Sequence, residues 1–216
     1  GIVGVREGPV MAGAGRFDVE IEGKGGHGAS PHETIDPVPI AAQAILAFQT
    51  IISRNLNPLE SGVVSVGTIK AGEAFNVIPE RVYMNGTYRF FTQETKKLIE
   101  KRIEEVLKGI VLANNASYKL KIEEVAPPTI NDPQMASLAK RVAQKLGLKV
   151  DDVPKSMGSE DFAFYLQKVP GAFIALGIKN EEKGITHPHH HPKFNVDEEV
   201  LPLGTALEVG LAFEVS

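Results

Sequence analysis

The chain has 216 residues, 43% of them hydrophobic and 23% charged, proportions expected of a soluble globular protein of one or two domains with a sizeable core. A formal charge of -4, no Lys/Arg-rich block and no tryptophan argue against a nucleic-acid partner, and no apolar stretch reads as a membrane span or signal peptide. The absence of cysteine excludes disulfides and thiolate metal ligands within the chain and fits a cytoplasmic location, so small-molecule chemistry is the favoured class.

Residues 1–15 are rich in Gly and Val and have no polar start, as though they enter from something upstream. Residues 16–23 alternate Phe17, Val19 and Ile21 against Asp18, Glu20 and Glu22, the period of a half-buried strand. A glycine-rich loop over 23–32 follows. Asp36-Pro37 is a helix start, and Ile40, Ala44, Ile45, Phe48, Ile51 and Ile52 recur at helical spacing up to Arg54. Residues 63–71 and 81–91 read as β-prone strands bounded by glycines or prolines. Thr92 caps a second helix through Asn114, with Leu98, Ile99, Ile103, Val106, Leu107 and Ile110 as its apolar stripe. Residues 118–125 alternate again. The order βαββαβ predicts an α+β sandwich over 16–126, a four-stranded antiparallel sheet backed by two helices, with 1–15 as the end of a preceding domain segment or a linker.

Beyond Pro127-Pro128 the style changes. The spacing predicts a helix over 133–146, a turn at 157–161, a short helix to Val169, an apolar strand over 171–177 and a last helix from Asp197 or Leu201 to Glu214. One or two credible strands cannot close a doubly covered α/β sheet. Residues 127–216 therefore read as half of an α/β domain, with the sandwich inserted between its two halves.

Four polar clusters carry candidate chemistry. The run Thr186-His187-Pro188-His189-His190-His191-Pro192-Lys193-Phe194 holds four of the six histidines and is followed by Asp197-Glu198-Glu199, the raw material of a transition-metal site. It also has the look of a purification tag, although it is internal, and of a solvated His/Pro loop with no ligand role. The loop Gly25-Gly26-His27-Gly28 lacks the Lys-Thr ending of a phosphate cradle. Its glycines instead allow close backbone approach while one imidazole projects, which suits a donor to developing negative charge; a histidine that only bonds its own turn is the ordinary alternative. Asn76 lies between two strands, where turn formation is the plain role. Arg89 falls on a strand, where it must face water or meet an anion. Glu160-Asp161 reads as the acidic start of a helix near Ser159.

Taken together and in this order, Gly23-Lys24-Gly25-Gly26-His27, Pro31-His32, Asp36-Pro37, Ser53-Arg54, Asn76-Val77-Ile78-Pro79, Gly86-Thr87-Tyr88-Arg89, Ser159-Glu160-Asp161-Phe162, Pro170-Gly171 and His190-His191-Pro192-Lys193-Phe194 resemble the M20 family of metallopeptidases and amidohydrolases. The resemblance is to its aminoacylase/carboxypeptidase branch, which includes hippurate hydrolases and auxin-conjugate hydrolases. It implies an α/β catalytic domain with two divalent metals (Zn, or Mn, Co or Ni), and an inserted lid through which the enzyme forms a homodimer. It further implies that this chain is the C-terminal part of such an enzyme, since the family's upstream metal motifs and general-base glutamate have no match here.

Carried over by residue, the resemblance makes His190 a metal ligand, with His189 and His191 as register alternatives. It makes His27 and Asn76 catalytic groups that stabilise the oxyanion, His27 reaching the partner subunit's site, and Arg89 the group that binds the substrate carboxylate, a role suited to a planar guanidinium fork. Glu160 receives no role. The implied reaction is metal-assisted hydrolysis of the amide bond of an N-acyl amino acid or peptide with a free carboxylate. Two other readings remain open: a non-catalytic lid and dimerisation module, and a self-contained metal-buffering loop of His187, His189, His190 and His191.

Overall fold

Two short strands, β1 (Ile2–Gly4) and β2 (Gly8–Met11), precede the first long one, β3 (Gly13–Glu22), in the computed structural model, which describes residues 1–215. Next come β4 (Gly26–His27) and helix α1 (Pro37–Thr50). The Asp36 carboxylate accepts from the Val38 amide at 2.9 Å and caps α1. The strands β5 (Gly62–Ala71), β6 (Val77–Ile78) and β7 (Arg81–Phe90) lead to α2 (Gln93–Ala113), capped by the Thr92 hydroxyl, which accepts from the Thr95 amide at 3.1 Å. Then follow β8 (Ser117–Ala126), β9 (Thr129–Asn131), α3 (Pro133–Lys145), β10 (Lys149–Asp151), the single turn α4 (Ala163–Leu166), β11 (Ala175–Leu176) and α5 (Leu201–Val215).

The chain separates into two units. The larger holds Ala12–Pro128 with Met157–Glu160. Its sheet has the order β5-β7-β3-β8 with every neighbour antiparallel, in a register from Gly13 opposite Phe90 to Glu22 opposite Arg81. One face of that sheet packs on α1 and α2 through Phe17, Ile21, Phe48, Val82, Tyr88, Ile99, Ile103 and Leu107. Phe17 and Phe48 meet edge to face at 5.7 Å. Each such fully buried large side chain contributes about 2 kcal/mol of transfer free energy, which makes this core the main source of the unit's stability. The opposite face is polar: Arg81 lies 3.3 Å from Glu20 and 3.0 Å from Glu22, and Lys119 lies 3.3 Å from each of the same two carboxylates. Exposed pairs of this kind add little stability and mainly keep the face wet.

The smaller unit holds Gly1–Met11, Thr129–Ser156 and the residues from Asp161 onward. In its sheet β1 lies between β10, to which it is parallel, and β11, to which it is antiparallel; β2 pairs with β9. Val3, Leu138, Val142, Ala143 and Leu207 form its core. Buried Asn131 acts as a side-chain bracket, donating to the carbonyls of Arg6 at 2.9 Å and Phe173 at 3.0 Å and accepting from the Phe173 amide at 2.7 Å.

Several sequence expectations change. Residues 1–15, to which the sequence assigns no element, form β1, β2 and the start of β3. Strands of three or four residues are too short to display a period of two. The strand expected over 171–177 contracts to Ala175–Leu176, because the polar groups of Phe173 are taken by the Asn131 side chain instead of a ladder. The helix expected from near Ser159 starts at Ala163, so Glu160 and Asp161 precede it. The first long helix ends at Thr50, and the chain to Asn55 widens into a π turn.

Candidate functional site

His27 is placed by a two-residue mini-sheet at one end of the sandwich, where Gly26 pairs with Ile78 and His27 with Val77. The glycines are needed here for approach. A Cβ on Gly25 would stand 2.8 Å from the Ile78 carbonyl oxygen, and one on Gly28 would stand 2.9 Å from that of Asn76. The Gly28 amide donates to the Asn76 carbonyl at 2.8 Å, so the two loops are joined by backbone and both side chains stay exposed.

The His27 Nδ1 accepts from the Ala29 amide at 3.0 Å. A backbone N–H can only donate, so Nδ1 is unprotonated and the proton of the neutral ring sits on the outward Nε2. A polarised N–H donor is thereby presented on a loop whose backbone is joined to that of Asn76, and the Asn76 carboxamide has no hydrogen-bond partner among the described residues. Two donors on adjoining, backbone-joined loops are the kind of arrangement that can hold an oxyanion.

Arg89 sits on the four-stranded sheet, toward the end away from the mini-sheet, opposite Ala14 on β3 and Val63 on β5. Its Nε donates to the Met157 carbonyl at 3.2 Å, and one terminal nitrogen donates to the Tyr88 carbonyl at 3.0 Å and to the Thr87 hydroxyl. Thr87 in turn donates to the Gly15 carbonyl at 2.8 Å. The guanidinium is thus fixed along one edge while Nη2 has no partner among the described residues, and the residue lines an open cavity of about 430 Å³ together with Gly15, Thr87 and Ser159. An anchored fork with a spare edge suits capture of a planar anion.

The structure brings His27 and Asn76 together and leaves Arg89 apart. Arg89 lies eight positions along β7 from Arg81, at the mini-sheet end, a span of roughly 26 Å at ~3.3 Å per residue. A single N-acyl amino acid cannot bridge that length.

The histidine run lies in the other unit. His187 and His191 stack with ring centroids 4.1 Å apart and planes 2° from parallel, and His189 meets Phe194 edge-on at 4.9 Å. An imidazole lone pair lies in its ring plane, so the lone pairs of two parallel, stacked rings lie in separate parallel planes and do not meet at one ion. Among the described residues no three His, Cys, Asp or Glu side chains are grouped as metal ligands would be. His190 is exposed, as His189 and His191 are, but unlike theirs its ring makes none of these contacts, and its backbone has φ 67°, a conformation that non-glycine residues adopt at a cost and that clusters at functional positions.

In the acidic cluster after the run one carboxylate is engaged by the fold. Asp197 is buried, and its carboxylate accepts from Lys183 Nζ at 2.7 Å and from Asn180 Nδ2 at 2.7 Å. These two partners, Lys183 first, hold its pKa down at about 2. Sequence reasoning missed this arrangement, because nothing distinguishes Asp197 from Glu198 and Glu199 until burial is known.

The peptidase family M20/M25/M40 model matches residues 3–214. An N-acetyl-L-cysteine deacetylase of Bacillus subtilis is 42% identical over 92% of this chain and 46% of its own length, and an IAA-amino acid hydrolase ILR1-like 4 of Arabidopsis thaliana is 41% identical over 98% and 50%. A crystal structure of the Bacillus subtilis YXEP protein, described as a dinuclear metal binding peptidase, superposes with a TM-score of 0.81 at 33% identity, covering 99% of this chain and 53% of that one. The chain spans about half the length of the relatives it matches.

Proposed function

Because the chain belongs to peptidase family M20/M25/M40, we propose that it forms part of a metal-dependent amidohydrolase or carboxypeptidase that cleaves the amide bond of N-acyl amino acids or of peptides with a free carboxylate. The observation that carries this reading is the joined turn of His27 and Asn76, which presents two unengaged donors where an oxyanion would be held. The deacetylase and the IAA-amino acid hydrolase among its relatives support an N-acyl amino acid as substrate.

In this reading His27 donates its Nε2 proton as a hydrogen bond to the developing oxyanion, and Asn76 donates from its carboxamide. Arg89 receives the substrate carboxylate on its open edge and fixes which bond is presented. His190 is the residue of the run that fits a metal: its imidazole is exposed and engaged by no other ring, whereas His187, His189 and His191 are used to build the loop. Divalent metal, two ions to a site in zinc, manganese, cobalt or nickel form and held chiefly by polypeptide outside this chain, supplies Lewis acidity and a water that is nucleophilic near neutral pH.

The sandwich serves as a lid through which two copies pair. The span between the His27 turn and Arg89 supports this, since in one copy the oxyanion donors and the carboxylate clamp stand at opposite ends of a sheet and serve two different active sites.

In the complete enzyme His27→Ala is expected to lower kcat about 100- to 1000-fold with metal content unchanged, and His190→Ala to lower metal content. Metal loss in the His27 variant, or wild-type turnover, would overturn the assignment. A second reading concerns the 216-residue chain by itself, as an inactive lid and dimerisation module. Zinc- or manganese-dependent hydrolysis of an N-acyl amino acid by that purified chain would refute it.

A further inference from the structure

Asp197 is the carboxylate that the fold buries among the described residues, and its contacts close a loop. Its amide donates to the Ile178 carbonyl at 3.0 Å, joining the two ends of residues 178–197. Inside that loop, Asn180 and Ile185 exchange backbone hydrogen bonds of 3.0 and 2.8 Å around Gly184, whose φ of 71° needs a glycine. The Asp197 side chain then fastens this turn from the other end, through Asn180 and Lys183, and also accepts from the Glu199 amide at 3.3 Å. The histidine run occupies the remainder of the closed loop.

We propose that Asp197, acting through Asn180 and Lys183, is a positioning residue that sets the geometry of the histidine run and so the direction in which His190 is presented. The warrant is physical. A loop with free ends samples many conformations, and joining its ends removes most of them. The parallel stack of His187 on His191 and the left-handed backbone at His190 are conformations that persist only where surrounding structure over-determines them. Asp197 supplies that constraint through an ion pair with only 9% of its own side chain exposed, so removing a partner leaves a desolvated carboxylate rather than a rehydrated one. The consequence for metal retention rests on the role proposed above for His190, whereas the geometry of the loop does not.

Imidazole signals of the 216-residue chain read the loop directly, because two stacked rings shift each other's protons upfield. Lys183→Met and Asp197→Ala are expected to lose the mutual shifts of His187 and His191 while the methyl signals of Val3, Leu138 and Leu207 stay in place, and Lys183→Arg is expected to keep them. Shifted rings that survive in Lys183→Met and Asp197→Ala with the core intact would overturn the proposal. Should Asp197→Ala collapse the core methyl signals, the double variant Asn180→Ala/Lys183→Met decides in its place, with the same expected loss. In the complete enzyme, chelator-driven zinc loss from Lys183→Met is expected to be faster than from wild type. Unchanged zinc loss alongside lost ring shifts would leave the clasp standing and overturn the ligand role of His190.

Discussion

The Gly28 amide donates to the Asn76 carbonyl at 2.8 Å, and a Cβ on Gly28 would stand 2.9 Å from that same oxygen. Backbone alone therefore joins the turn of His27 to that of Asn76, and the join tolerates no side chain. Gly28→Ala is expected to part the two turns and displace both donors. A misplacement of about 1 Å costs on the order of 100-fold in turnover, whereas stability should fall by only about 1 kcal/mol, the worth of one net hydrogen bond at the periphery. Turnover of an N-acetyl amino acid by the complete enzyme and urea unfolding of the chain measure the two effects. Wild-type turnover in this variant would show that the join does not position the donors.

The separation of His27 from Arg89 along the sheet makes a complementation experiment informative. His27→Ala and Arg89→Met are each expected to be nearly inactive in the complete enzyme. Mixed, unfolded and re-paired, about half of the dimers are hybrids in which one site carries both defects and the other is intact, so roughly a quarter of wild-type activity should return. No recovery would mean that both groups act within one copy.

Gly86 on β7 is enclosed from two sides: a Cβ there would lie 2.2 Å from Phe17 Cζ and 2.3 Å from the Ser65 carbonyl oxygen. The ring belongs to the core and the oxygen to a neighbouring strand, so neither can yield cheaply. Gly86→Ala is expected to destabilise the larger unit by about 3 kcal/mol, at the upper end for overpacked cores, read from a shift in the urea midpoint. A change below about 1 kcal/mol would show that the sheet can part at that point.

Tyr88 is fully buried and donates to Glu100 at 2.5 Å; burial first, and then the Glu100 carboxylate, push its phenol above the ordinary value of 10.0. The folded state favours the neutral ring, so this contribution to stability is complete below pH 10 and is lost as pH climbs beyond it. Phenolate absorbance from Tyr88, taken as the difference between wild type and Tyr88→Phe, is expected to rise together with loss of the circular dichroism of the sheet. Phenolate formation from Tyr88 in an intact sheet would contradict this account.

How much the sequence disclosed depended on element length. Helix α2 was legible because Ile99, Ile103 and Leu107 repeat over many turns and all three are buried, and β3 because Phe17, Val19 and Ile21 alternate with charge. The mini-sheet was not legible: two residues on each strand carry no period, and the pairing of His27 with Val77 is a tertiary choice between segments far apart in the chain. Nor could spacing show that His187 and His191 stack, that His189 leans on Phe194, or that Asp197 alone of three adjacent acids turns inward. Histidines beside carboxylates promised a metal cluster, whereas folding spends most of those side chains on holding one loop in shape.

The parallel stack of His187 on His191 has a practical corollary at the bench. Immobilised nickel retains a flexible polyhistidine tail because neighbouring imidazoles swing round to chelate the same ion. With two rings locked face to face and a third braced against an aromatic ring, this run should elute from such a resin as a lone surface histidine does, at low imidazole, despite its resemblance in print to an affinity handle.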